Sequence, residues 1–511
     1  MSPLTLLINL LLFLGSIGAF IHIIYASYSH PKDPKNHKKP PPGPPPLPII
    51  GNLHKLGNHP HRYLQTLAKQ YGPIMSLWLG RTLAVVVSSP KAAKLFLKTH
   101  DTVFASRPPP KSSDFSIYDV RKGLAFAPYG PYWRNVRKIC TLQLLSASKI
   151  ESFAPMRKQE VKSLVGSLKK CAAMHEVVDV TKKVNEFIEE TTCRMIFGRN
   201  KGDRLKMTAL IRELMFLGQP LDVSSFLPFL RPLDLQGLDR RRKNVTEALD
   251  KVFEAIIQEH EQVDIGQQGH HRDFVDTLLS LMNQPMNPHD EQIYTIDRES
   301  IKAIMLDMFA GASDTSSAAI EWTLSELLRH PRVMKHLQEE LRSVVGMNRM
   351  VEETDLEKLP YLDMVIRESF RLHPIAEFLI PHQSMKDIEI DGYYIPKRTV
   401  ILINSWAIGR DPDVWSNNAE EFYPERFINN NIDIKGRDFQ LLPFGSGRRG
   451  CPGMLLGIKN VKYIVAQLVH FFHWELPNGM SPNDLDMEEK DGLTMPRANP
   501  LLAIPTYRLL D

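Results

Sequence analysis

Between Asp297 and His330 the chain carries an unbroken helical pattern, with Asp297 as a candidate N-cap and Pro331 as the stop. A helix of roughly 33 residues is about 50 Å long. That exceeds the few turns usual in soluble domains, so the rest of the chain must be arranged around this element, which crosses the whole domain. The remainder predicts a mainly α fold with small β-sheets. Helical patterns dominate, and short β-rich runs occur near Ile74 to Ser89 and Ile388 to Leu402. Asp264 to Arg272 and Asn283 to Asp290 are polar and loop-like, with a short apolar helical stretch between them. No internal repeat and no second linker interrupts residues 50–511, which read as one domain.

Ahead of that domain lies an apolar run from Leu4 to Tyr25, broken only by Thr5, Asn9, Ser16 and His22 and free of charge. About 20 such residues in a helix span the hydrocarbon core of a bilayer. A cleaved signal peptide would open on a basic segment and carry a shorter apolar run. The first positive charges follow the run, at Lys32, Lys35, Lys38 and Lys39, and hold the following domain on the cytoplasmic side. Serial prolines between Pro40 and Pro48 fix φ and remove backbone donors, which makes a stiff spacer. The expected organisation is a transmembrane anchor at 1–30, a basic and proline-rich hinge at 31–49, and a catalytic domain at 50–511.

A net charge of +5 on 511 residues, with no basic block longer than Arg240 to Lys243, gives no footprint for nucleic acid. The four cysteines, Cys140, Cys171, Cys193 and Cys451, form no C-x-x-C and no C-x-x-C-H. Zinc ribbons, thioredoxin-like sites and covalently attached haem are excluded on that spacing. So few cysteines make no disulfide framework, which fits a reducing compartment.

One cysteine stands in unusual company: Pro443-Phe444-Gly445-Ser446-Gly447-Arg448-Arg449-Gly450-Cys451-Pro452-Gly453, with a helical pattern from Met454. Gly445, Gly447 and Gly450 permit turns closed to other residues. Such a loop can aim N–H groups at one sulfur placed at a helix N-terminus, where a thiolate is favoured. Arg449, two residues away, can neutralise a carboxylate. A buried cysteine in a glycine turn is the plainer alternative. The stretch resembles the haem-binding loop of the cytochromes P-450, F-x-x-G-x-R-x-C-x-G, with Phe444, Gly447, Arg449, Cys451 and Gly453 at every fixed position. The closing Leu493-Thr494-Met495-Pro496-Arg497 and Pro505-Thr506-Tyr507-Arg508-Leu509 are similar to plant endoplasmic-reticulum members of the large A-type clan.

That resemblance implies the cytochrome P-450 fold behind one N-terminal transmembrane helix, with haem b bound through Cys451 and Phe444 beside it. It also gives meaning to motifs that are weak alone. Glu368 and Arg371 in Glu368-Ser369-Phe370-Arg371, with Arg426 in Pro424-Glu425-Arg426-Phe427, are similar to the family's buried Glu-Arg-Arg network. Trp133 and Arg137, at i and i+4, and His382 correspond to positions that contact the haem carboxylates. Ala310-Gly311-Ala312-Ser313-Asp314-Thr315-Ser316 resembles the oxygen-activation motif, with Thr315 near iron-bound oxygen and Asp314 feeding protons. Here Ala312 replaces the usual glycine, which narrows that groove.

The resemblance further implies electrons from NADPH through a separate NADPH–cytochrome P-450 reductase, since the chain has no G-x-G-x-x-G after a strand. Cytochrome b5 is a second donor consistent with it. Arg134 and Lys138 offer a basic docking surface, or are ordinary solvated charges. The implied site of action is the endoplasmic-reticulum membrane, single-pass, with the catalytic domain in the cytosol. A haem-thiolate isomerase or dehydratase, whose members tend to lose the threonine, or an oxidative cyclase is a rival; a membrane-tethered haem carrier is another and has no need of both Cys451 and Thr315. Substrate is shaped in this family by segments corresponding to Ser106 to Arg121, Leu306 to Thr315, Ile375 to Leu379 and Leu493 to Met495. Ile375, Glu377, Leu379 and Thr494 are the candidate contacts, and the mostly apolar character implies a small lipophilic plant metabolite: a phenylpropanoid, terpenoid or alkaloid. Glu377 is the odd member, expected to turn toward Lys, Arg or water, or to face the pocket and pair with a basic amine.

Overall fold

The computed structural model describes residues 14–16, 18, 39–109, 120–198, 204–218, 232–262 and 272–509. The Leu4 to Tyr25 run, the Asp264 to Arg272 loop and the centre of the Ser106 to Arg121 segment lie largely outside these residues. Among the described residues no helix is long and apolar enough to cross a membrane.

The long helix runs Arg298–Arg329 and is capped by Asp297, whose carboxylate accepts the Ser300 N–H at 2.8 Å. His330 ends it, and Pro331 opens the next helix, Pro331–Val345. At 32 residues it is about 48 Å long. Its side chains are buried on nearly all sides, because it packs against Val180–Phe197, Met454–Phe471 and Pro360–Leu372. Its two halves serve different cores. Ile301 to Phe309 join Trp133, Phe197 and Phe253 in one cluster. Ala318 to Leu328 join Val365, Phe370 and Val465 in another. The polar segment from Gly311 to Thr315 falls at the seam between the two.

A four-stranded sheet has the order Ile74–Leu79, Thr82–Val87, Val400–Ile403, His382–Gln383. The first pair is antiparallel. Thr82–Val87 runs parallel to Val400–Ile403, with Ala84 opposite Val400, and His382–Gln383 returns antiparallel. Ala84 to Val87 are all buried, the continuous apolar run expected of an inner strand. Both β-rich stretches predicted from sequence are therefore strands. A second sheet, Val178–Asp179, Leu502–Tyr507 and Phe472–Glu475, was not visible in the pattern. Phe472–Glu475 continues the apolar helix Met454–Phe471 without a glycine or proline to mark the change.

Candidate functional site

Cys451 sits between two structural devices. Behind it, Gly445 (φ +64°) and Gly447 (φ +70°) take left-handed backbone conformations. Gly447 is also packed so closely that a Cβ there would lie 2.3 Å from the Leu97 carbonyl oxygen. Gly450 has no such φ; its carbon fits a tight turn in which its N–H reaches the Gly447 carbonyl at 3.1 Å. Ahead of Cys451, Gly453 caps Met454–Phe471. The Cys451 N–H donates to the Phe444 carbonyl at 2.8 Å, and the Phe444 ring meets Phe370 edge-on at 5.5 Å. Cys451 is exposed, alone in that among the four cysteines. Surrounding protein still pushes its thiol upward, against the Gly453 N–H and the Arg137 guanidinium, which favour the thiolate.

Four basic side chains gather on the same side. Arg449 is buried, spends its donors on the carbonyls of Ala105 (2.6 Å), Leu124 (3.3 Å) and Ala127, and lies 4.1 Å over the Trp133 ring. Trp133 donates its indole N–H to the same Leu124 carbonyl at 3.0 Å. Burial, then Arg137, lowers the Arg449 guanidinium to about 10. Burial also lowers Arg137, which Cys451 partly offsets. His382 is buried with Nδ1 on the Phe104 carbonyl at 2.9 Å; burial and then Arg107 hold it well below its ordinary range. Arg107 is the member that sequence reasoning did not single out. It donates to the Ile380 and Pro381 carbonyls, while its Nε is buried without a partner. Burial and Arg449 push it well below its usual value. None of the four pairs with a carboxylate among the described residues, so the cluster is electrostatically suited to an anion. Arg107 could not have been found from spacing, because its partners are carbonyls 273 and 274 positions away.

On the long helix, Gly311 is exposed at mid-length, and a Cβ there would meet nothing within 4 Å. The Thr315 hydroxyl donates back to the Gly311 carbonyl at 2.7 Å. Burial raises the Asp314 carboxyl, opposed by Arg212 and by a 3.4 Å bond from the Ser313 hydroxyl.

The Glu368, Arg371 and Arg426 side chains form one buried network. Glu368 is held by Arg371 through two 2.8 Å bonds, by Arg426 Nε at 2.8 Å and by the Tyr423 N–H at 2.8 Å. Arg371 also binds the carbonyls of Gly409 at 2.7 Å and Glu421 at 2.9 Å. Every strong donor and acceptor is used, which a buried ion group requires.

The remaining predicted residues divide. The Met495 N–H donates to the Ile375 carbonyl at 2.9 Å, so the Thr494 segment and Ile375 are joined. Leu379 holds a left-handed φ of +53°, with its Cδ1 against Gly445. Glu377 departs from the expectation of a solvated or Lys/Arg-paired carboxylate. It is buried, and desolvation followed by Asp491 and Glu489 raises it to about 7. A separate surface cleft of about 510 Å³ is lined by Arg121, Lys122, Tyr132, Tyr294 and Asp297 at the start of the long helix. It contains none of the candidate residues and begins roughly 27 Å along the helix from Thr315.

A family model described as Cytochrome P450 matches residues 41–504. The chain is 55% identical over 475 residues to Cytochrome P450 CYP736A12 of Panax ginseng, covering 93% of this chain and 94% of that one. It is 40% identical over 479 residues to desmethyl-deoxy-podophyllotoxin synthase of Sinopodophyllum hexandrum, covering 92% of each chain. It is 40% identical over 505 residues to flavonoid 3'-monooxygenase of Arabidopsis thaliana, covering 96% of each. Coverage of that extent, on a helical fold with small sheets and an exposed cysteine in a glycine loop, leaves one conclusion: the chain belongs to the cytochrome P450 family.

Proposed function

We propose that this enzyme oxidises a small lipophilic plant specialised metabolite, and that Cys451 would hold the haem iron through its thiolate. The family uses haem b with electrons from NADPH through a reductase, and the chain is accordingly a monooxygenase. The single observation that carries the assignment is the exposed Cys451 thiol beside four basic side chains that have no carboxylate partner among the described residues. That donor set would suit a group that carries both iron and carboxylates. Arg137, Arg449, His382 and Arg107 would hold the carboxylates, Trp133 would join them by giving up its bond to the Leu124 carbonyl, and Phe444 would flank the ligand. When bound, haem supplies the oxygen chemistry, with the thiolate favouring O–O cleavage.

The chain's own contribution is placement and protons. Thr315 keeps a hydroxyl at the exposed Gly311 turn, its proton on the Gly311 carbonyl and its oxygen still able to accept. Asp314, raised by burial, exchanges protons closer to neutrality than an ordinary carboxyl. Glu368, Arg371 and Arg426 carry no chemistry and brace the 409–426 stretch against the Pro360–Leu372 helix. The relatives named flavonoid 3'-monooxygenase and desmethyl-deoxy-podophyllotoxin synthase support a phenylpropanoid-type substrate ahead of terpenoids and alkaloids. The residues 1–30 anchor, the 31–49 hinge, an endoplasmic-reticulum location and cytochrome b5 as an auxiliary donor complete the reading. Microsomes holding the enzyme and a reductase, given phenylpropanoids, terpenoids and alkaloids, should form an oxygenated product that requires NADPH. Turnover without NADPH and oxygen would instead favour an isomerase or dehydratase.

A further inference from the structure

Asp307 is a carboxylate in the apolar half of the long helix, one turn before Gly311. Its Oδ2 accepts two backbone N–H groups from a single loop, Leu124 at 2.6 Å and Ala125 at 2.9 Å. Gly123 lets the loop come that close. A Cβ there would lie 2.2 Å from Asp307 Oδ2, and its φ is not left-handed, so space alone demands glycine. The other side of the same loop holds the site. The Leu124 carbonyl takes the Trp133 indole N–H and an Arg449 N–H, and the Ala127 carbonyl takes another from Arg449.

We infer that Asp307 is a positioning residue: it ties the Gly123 to Ala127 loop to the long helix and thereby orients Trp133 and Arg449 beside Cys451. This rests on the function proposed above. Burial raises Asp307 from 3.8 to about 6, against the two N–H bonds. A folded protein that holds its proton more tightly than the unfolded chain loses stability as pH rises through that window. Near neutrality the ionised carboxylate is therefore less stabilising than its protonated form, while it still accepts both loop N–H groups. Its electrostatic neighbour, the buried Cys140 thiol, is pushed up to about 12 by burial and then by Asp307.

The test uses the full-length holoenzyme and the variants Asp307→Asn, Asp307→Ala and Gly123→Ala. Three quantities are read at pH 7.5: global thermal stability, hydrogen exchange of a peptide spanning residues 121–128, and the rate of haem transfer to apomyoglobin. Asp307→Ala leaves two loop N–H groups without their acceptor; it should raise exchange in that peptide about tenfold and speed haem transfer severalfold, both beyond what its change in global stability accounts for. Asp307→Asn keeps the shape and one acceptor oxygen, so it should fall between Asp307→Ala and the native protein. Gly123→Ala should reproduce the Asp307→Ala phenotype, and the double variant should be no worse than Asp307→Ala alone. Unchanged exchange and haem transfer in Asp307→Ala would overturn the assignment, as would additive effects in the double variant. If Asp307→Ala does not fold, Asp307→Asn and Gly123→Ala decide by the same readings. A native protein that bound no haem would defeat the functional reading while leaving the exchange result interpretable.

Discussion

Thr315 and Glu377 mark what single side chains contribute. The Thr315 hydroxyl bonds the carbonyl four residues back, at 2.7 Å, an arrangement that does little for helix stability. Thr315→Ala should therefore fold at least as well and still bind haem. If the hydroxyl manages protons, product per NADPH should fall on the order of tenfold or more, with peroxide appearing in its place; unchanged coupling would remove that role. Glu377 is raised to about 7 by burial and by Asp491 and Glu489, with His59, His61 and Arg62 binding those two carboxylates rather than Glu377. The folded protein then binds a proton that the unfolded chain releases, so stability should fall as pH rises from about 4.5 to about 7. Glu377→Gln should remove that fall and stabilise the protein at pH 8 by up to ~3 kcal/mol. Thermal unfolding at pH 5 and pH 8 measures it, and parallel slopes in both proteins would contradict the buried assignment. The sequence exposed the oddity of Glu377 but not its surroundings, because Glu489 and Asp491 reach it from the far end of the chain.

Loops and short elements hold these residues by close packing rather than by local propensity. Gly447 combines a φ of +70° with a Cβ position 2.3 Å from the Leu97 carbonyl oxygen. Gly447→Ala should cost about 2 kcal/mol or more and lower haem content; normal content and stability would show that the loop yields freely. In the network, Glu368→Gln leaves Arg371 and Arg426 buried with one acceptor charge removed. A loss of roughly 3–5 kcal/mol is expected, read as a lower unfolding temperature and poor haem incorporation. A stable, fully loaded variant would argue against the brace. Motif spacing made the Cys451 loop and the Glu368–Arg371 turn legible, since both are local in sequence. Arg107 and Asp307 were not, because their partners are carbonyl and N–H groups that no side-chain pattern encodes.

At the scale of the molecule, one 32-residue helix joins two cores and leaves its polar centre at their boundary. Its limits were readable from Asp297 and Pro331, whereas the sheet pairing Phe472–Glu475 with Leu502–Tyr507 depends on non-local pairing and was not. Deleting residues 1–30 should release part of the protein from membranes without altering the haem spectrum; a mature N-terminus beyond Tyr25 would instead mark a cleaved leader. One sulfur atom decides the chemistry of the whole molecule. The reduced carbon monoxide complex of the native enzyme should absorb at about 450 nm. Cys451→Ala should abolish that band, while replacement of Cys140, Cys171 or Cys193 by Ser or Ala should preserve it. A band that survives in Cys451→Ala would contradict the assignment of the iron ligand.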